Sequence, residues 1–145
     1  MDKRILGSGG LEVSALGFGC MGMSQSFGPN PGDRGEMVGL LRTAVDLGVT
    51  LFDTAEVYGL GKSERILGDA LGDERAEVAV ASKIFPVAPF PAVVKQRERA
   101  SARRLQLDRI PLYQVHQPNP VVPDTVIMPG MITESGTIGL GWWIW

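Results

Sequence analysis

Four side chains of complementary chemistry stand well apart in the chain: Asp53 and Tyr58 in TLFDTAEVYG, Lys83 in VAVASK and His116 in YQVHQPNP. A free tyrosine, with a pKa near 10, is a poor acid at neutral pH. An ammonium beside it favours the phenolate and lowers that pKa. An aspartate paired with the lysine fixes the ammonium and keeps it protonated. An imidazole can hydrogen-bond the same reacting oxygen and steer a substrate. Together the four predict a tuned general acid that hands a proton to a carbonyl oxygen. Each alone has a plainer use: Asp53 as a turn former, Tyr58 as packing, Lys83 as a solvated charge, His116 as a structural group. Their joint occurrence at strand ends is what argues for chemistry.

The elements that must position them are legible. KRILGSGGLEV (residues 3–13) predicts two short strands around Ser8, Gly9 and Gly10. Residues 15–21 predict a short apolar strand, and 24–32 a loop. Asp33 and Glu36 have the spacing of a capping box, with Met37, Leu40, Leu41, Ala44 and Val45 as the apolar face behind it. Gly48 ends that helix. Val49 to Phe52 predicts the next strand. Ser63 then caps a helix with the face Ile66, Leu67, Ala70 and Leu71, ended by Gly72. Val78 to Ser82 predicts a strand, 91–106 a helix and Ile110 to Val115 a further strand, in which Pro111 removes one N–H donor. Residues 122–134 read as a helix interrupted by Pro129 and Gly130, and 137–144 as a fifth strand. Strand and helix alternate with short connections, which requires crossover helices and a parallel sheet. Ligands of such α/β folds bind beyond the carboxyl ends of the strands, where the four residues fall.

The 145 residues, 44% hydrophobic and 21% charged, suit one domain with a buried core. A net charge of −2 gives no reason to expect nucleic acid or an anionic membrane as partner. No signal-peptide core opens the chain and no run approaches the ~20 apolar residues of a membrane span, so a soluble, cytoplasmic protein is expected. One cysteine, Cys20, excludes an internal disulfide framework and reads as a small buried hydrophobe. With one cysteine and one histidine, no structural zinc site is expected. GSGG at 7–10 precedes no helix and is a turn, not a phosphate loop. Lys95, Arg97, Arg99, Arg103 and Arg104 form a basic run on one predicted helix, in which 95, 99 and 103 share a face, and the run reads as a solvated outer surface. The methionines, including Met21, read as core filler.

At these blocks the sequence resembles the aldo-keto reductases. GLEVSALGFGCMGM, GVTLFDTAEVYGLGKSERILGDAL, VAVASK and SARRLQLDRIPLYQVHQPNP follow, in order, the motifs of that family's first half, over roughly residues 3–136. The resemblance implies a partial (β/α)8 barrel, about its first half, behind an N-terminal β-hairpin. It implies reduction of a small aldehyde or ketone with NADPH, hydride passing to the carbonyl carbon. Tyr58 would donate the proton, Lys83 would tune it, Asp53 would pair with Lys83 near the nicotinamide ribose, and His116 would orient the carbonyl. Gly19, Cys20 and Met21 would lie near the cofactor.

The departures are equally specific. A whole barrel of this type takes about 250 residues. The family's fifth strand ends in a Gly-Val-Ser-Asn type motif that holds the carboxamide, whereas residues 137–145 are atypical and place Gly139, Leu140, Gly141, Trp142 and Trp143 there. The acid usual before LYQ is Pro111. The phosphate-binding loops of later strands are absent. The expectation is therefore one truncated domain over 1–145, in which the cofactor phosphate site is missing. An unclosed sheet would also expose edges and invite self-association. The alternative to catalysis is a non-catalytic half-barrel with a binding or assembly role, since some relatives, the beta subunits of potassium channels, serve chiefly as binding partners, or an inactive truncated product lacking the cofactor phosphate site.

Overall fold

The computed structural model describes residues 1–7, 9–24, 32–86 and 90–117. An antiparallel hairpin of β1 (Lys3–Leu6) and β2 (Leu11–Ser14) opens the chain, with Lys3 opposite Ser14 and Leu6 opposite Leu11. A four-stranded parallel sheet follows, built from β3 (Phe18–Gly19), β4 (Leu51–Asp53), β5 (Ala79–Ile84) and β6 (Leu112–Val115), adjacent in chain order. Helices α1 (Arg34–Asp46), α2 (Lys62–Leu71) and α3 (Pro91–Leu105) make the crossovers. This is the α/β architecture expected, with each strand laid beside the one before it.

Helix α1 starts as its sequence requires. The Asp33 carboxylate accepts from the Glu36 amide at 2.9 Å, and the Glu36 carboxylate accepts from the Asp33 amide at 2.8 Å. Its buried face is Met37, Leu41 and Ala44, with Val38 and Val45 packed beside them, while Leu40 is exposed. Leu40 had been placed in that face by spacing. At 100° per residue it lies on the margin of the stripe, and the helix is rotated toward Val38 and Val45 instead.

Helix α2 departs from expectation at its start. Gly61, in the left-handed region (φ +81), occupies the cap, so Ser63 is not the cap but the second helical residue. Its hydroxyl turns inward, donating to the Cys20 carbonyl at 2.8 Å and lying 3.0 Å from Thr54 Oγ1. The strands also shift by one to three residues. The third expected strand reaches Ile84 and so contains Lys83, and the fourth begins only after Pro111, which has no N–H for the ladder. The helix expected over 122–134, the strand over 137–144 and the Gly139–Trp143 segment lie outside the described residues.

The core lies between sheet and helices. Phe52, Val80, Ile84 and Tyr113 project from the strands against Met37, Leu41, Ile66, Leu67, Val94 and Leu105. Gly68 lets α2 and α3 touch: a Cβ there would stand 2.8 Å from the carbonyl oxygens of Arg104 and Leu105. The register then decides the other face. Asp53 pairs with Gly19 and Ala81, and Lys83 pairs with Gln114. Side chains alternate along a strand, so Asp53, Lys83 and His116 leave the sheet on the face away from the helices.

Candidate active site

Lys83 lies two residues beyond the partner of Asp53, a stagger of about 6.6 Å that its four-carbon stem spans. Its ammonium donates to both Asp53 carboxylate oxygens at 2.6 Å and to the Thr54 carbonyl at 2.9 Å. Three N–H donors thus meet three acceptors. The ladder continues past β4, with Thr54 N–H to Ala81 O and Glu56 N–H to Lys83 O, and carries the turn that delivers Tyr58. Tyr58 is buried, and its ring centroid is 5.5 Å from the ammonium. The His116 ring stands edge-on to it at 5.6 Å, and the Phe85 ring flanks His116 at 6.3 Å. Asp53, Tyr58, Lys83 and His116 are therefore one cluster at the carboxyl ends of β4, β5 and β6.

The electrostatics correct one expectation. Lys83 was expected to pull the Tyr58 pKa down, yet it is pushed up to about 12, by burial first, then by Asp53 and by Cys20. The physical reason is burial, which disfavours the phenolate, joined by the Asp53 carboxylate, which takes up the Lys83 ammonium and itself opposes ionisation of the phenol. The His116 pKa is lowered by burial and then by Lys83, against opposing pulls from Asp53 and Glu56. Its Nδ1 is buried with no hydrogen-bond partner among the described residues.

The three residues at the end of β3 differ in access. Gly19 is exposed with open space over its Cα, Met21 is half-buried and Cys20 is wholly buried. Burial pushes the Cys20 thiol up, and its amide and carbonyl are taken by Asp53 O and Ser63 Oγ. Cys20 thus braces the strand end, while Gly19 is left open to solvent.

Among the described residues, ion pairs that escaped the sequence reading support the elements around the site. Glu56 and Arg97 join the turn after β4 to α3. Glu64, fully buried, accepts from Ser82 Oγ at 2.6 Å and from Arg104 Nε at 2.5 Å, and Arg104 also donates to Ser101 Oγ. A signal existed for Glu64, which shares a helical face with Leu67 and Leu71, and for Arg97, one turn after Val94. Lys95, Arg99 and Arg103, by contrast, are exposed as expected and line an open recess of about 330 Å³ on the outer face of α3.

A profile of the Aldo/keto reductase family matches residues 15–137. An uncharacterized oxidoreductase of Mycobacterium bovis is 66% identical over 136 residues, covering 88% of this chain and 41% of its own length. Among solved structures, an aldo-keto reductase from Bacillus halodurans superposes with a TM-score of 0.80 at 31% identity, over 95% of this chain and 48% of that one. An aldo-keto reductase from Klebsiella pneumoniae, solved in complex with NADPH, gives a TM-score of 0.72 at 30% identity, over 95% of this chain and 48% of that one. The chain thus spans under half the length of these relatives, and its sheet corresponds to about the first half of their (β/α)8 barrels. The profile spans most of the chain and the solved structures share its fold: the chain belongs to the aldo/keto reductase family.

Proposed function

We propose that the chain carries the proton-transfer machinery of an oxidoreductase that reduces an aldehyde or ketone to an alcohol with a nicotinamide cofactor. One observation carries this reading, the convergence of the Lys83–Asp53 pair, Tyr58 and His116 at the strand ends. Tyr58 donates its O–H proton to the carbonyl oxygen, His116 holds that oxygen, and a proton taken from water returns the phenolate to the phenol. A phenol with a pKa of about 12 stays protonated at neutral pH. It remains a far stronger acid than the alkoxide's conjugate alcohol, comparable to water at about 15.7.

NADPH, found with the Klebsiella pneumoniae relative, is the proposed cofactor; when bound, it supplies the hydride for the carbonyl carbon. The residues present fit it in part. The Asp53 side chain is 42% exposed despite its ion pair, so lone pairs remain for a ribose hydroxyl. Gly19 offers an open backbone surface beside it, with Cys20 supporting from below and Met21 at the margin. Incubation of the chain with NADPH and a reactive aldehyde, followed by nicotinamide absorbance, tests the reading. Tyr58→Phe should slow the reaction by about 10²–10⁴-fold. Equal rates for the two proteins overturn it.

A second reading, a non-catalytic half-barrel that assembles, is supported by one feature. Among the described residues β3 and β6 each pair on one side only. Such edges are templates for another strand, here that of a second copy. Light scattering tests this: a monodisperse monomer overturns it.

A further inference from the structure

Glu56 lies between Asp53 and Tyr58 in the chain, and its carboxylate is bound by Arg97 and the Phe85 amide. It receives Arg97 Nη2 on Oε1 at 2.8 Å and Arg97 Nε on Oε2 at 3.0 Å, a two-pronged contact. It also accepts from the Phe85 amide at 2.8 Å, and Arg97 Nη1 reaches the Phe85 carbonyl at 3.3 Å. Both backbone polar groups of Phe85 are therefore held by this pair. The Glu56 side chain is 8% exposed and that of Arg97 33%, so the contact is largely shielded from solvent. Phe85 follows Lys83 by two residues, and its ring lies against His116. One ion pair thus grips the turn carrying Tyr58 and the strand end carrying Lys83, and seats the ring beside His116.

We propose that Glu56 and Arg97 are positioning residues, a clamp from α3 that fixes the Tyr58 turn against the Phe85 segment and governs the charge state of His116. The proposal deepens the carbonyl-reductase reading and rests on it. Among the described residues, the charged and titratable groups that act on or contact His116 are Lys83 from β5, and Asp53, Glu56 and Tyr58 from β4 and its following turn. Glu56 acts on the imidazole in the direction of protonation, and Arg97 neutralises part of that effect. Removing either partner therefore has opposite consequences. Without the carboxylate, the imidazole protonates less readily. Without the guanidinium, the uncompensated carboxylate makes it protonate more readily.

His116 is the only histidine, so its imidazole resonances can be titrated by NMR without ambiguity. Glu56→Gln is expected to lower the His116 titration midpoint and Arg97→Gln to raise it. Movement of both variants in the same direction, toward an exposed imidazole, would mark mere loosening and overturn the proposal, as would no movement in either. Arg97→Lys keeps a charge opposite Glu56 without the two-pronged contact, and serves if Arg97→Gln does not fold. It is expected to raise the midpoint by less, and an unchanged or lowered midpoint overturns the clamp. The titration needs neither cofactor nor turnover. If Tyr58→Phe leaves carbonyl reduction unchanged, the functional reading falls while the His116 shifts still decide the clamp.

Discussion

The Lys83 ammonium sits 2.6 Å from both oxygens of the Asp53 carboxylate, so its charge reaches Tyr58 only as one end of a pair. Neutralising either member should move the phenol in opposite senses. Asp53→Asn should bring the Tyr58 pKa below about 12, and Lys83→Met should take it higher. Tyrosinate absorbance in a Tyr113→Phe background isolates Tyr58, because the chain has two tyrosines.

His116 links folding to pH. Its folded-state pKa is lowered, so the unfolded chain binds the proton first as pH falls. Stability should be fully present above the ordinary histidine value of about 6.5, and should decline as pH drops below it toward the lowered folded value. Urea midpoints measured across that window should fall for the wild type and stay flatter for His116→Gln.

Glu64 is a fully buried carboxylate held by Arg104 and Ser82. Arg104→Ala leaves that charge without its cation, and should destabilise the fold by about 3–5 kcal/mol in urea unfolding. Glu64→Ala should fall in the same range, since it strands the half-buried guanidinium between α2 and α3.

Two glycines in helices should answer an added methyl with opposite signs. Gly39, within α1, has open space around a built Cβ, so Gly39→Ala should stabilise by about 1 kcal/mol through helix propensity. Gly68→Ala drives a methyl into the α3 backbone at 2.8 Å, and should destabilise by about 1–3 kcal/mol. Thermal melts of the two variants side by side check both.

Much of this architecture was written in local signals. The capping box at Asp33, the glycine after α1 and the apolar runs of the strands are each set by neighbours within a few residues. The four ionisable groups were found for the same reason: each falls at or just past a short apolar run. What escaped needed tertiary knowledge. Ser63 looks like a cap until Cys20 and Thr54 are seen to bind its hydroxyl. The acidity of Tyr58 depends on burial and on where the Lys83 charge is directed, neither of which spacing encodes. Arg97 and Arg104 read as solvent-facing charge within a basic run, although Arg97 lies one helical turn from both Val94 and buried Ser101, and only the fold supplies the acids they meet.

The hairpin at the chain's beginning is stitched to the amino end of β4. The Ser14 amide donates to Thr50 Oγ1 at 2.7 Å, and the Thr50 amide returns a bond to Ser14 Oγ at 2.8 Å. Met1 packs by Gly48 at the same pole, across the sheet from Asp53 and His116. An affinity handle or a surface tether fused ahead of Met1 would therefore hang from the foot of the molecule, leaving the mouth above the four ionisable groups clear for visitors.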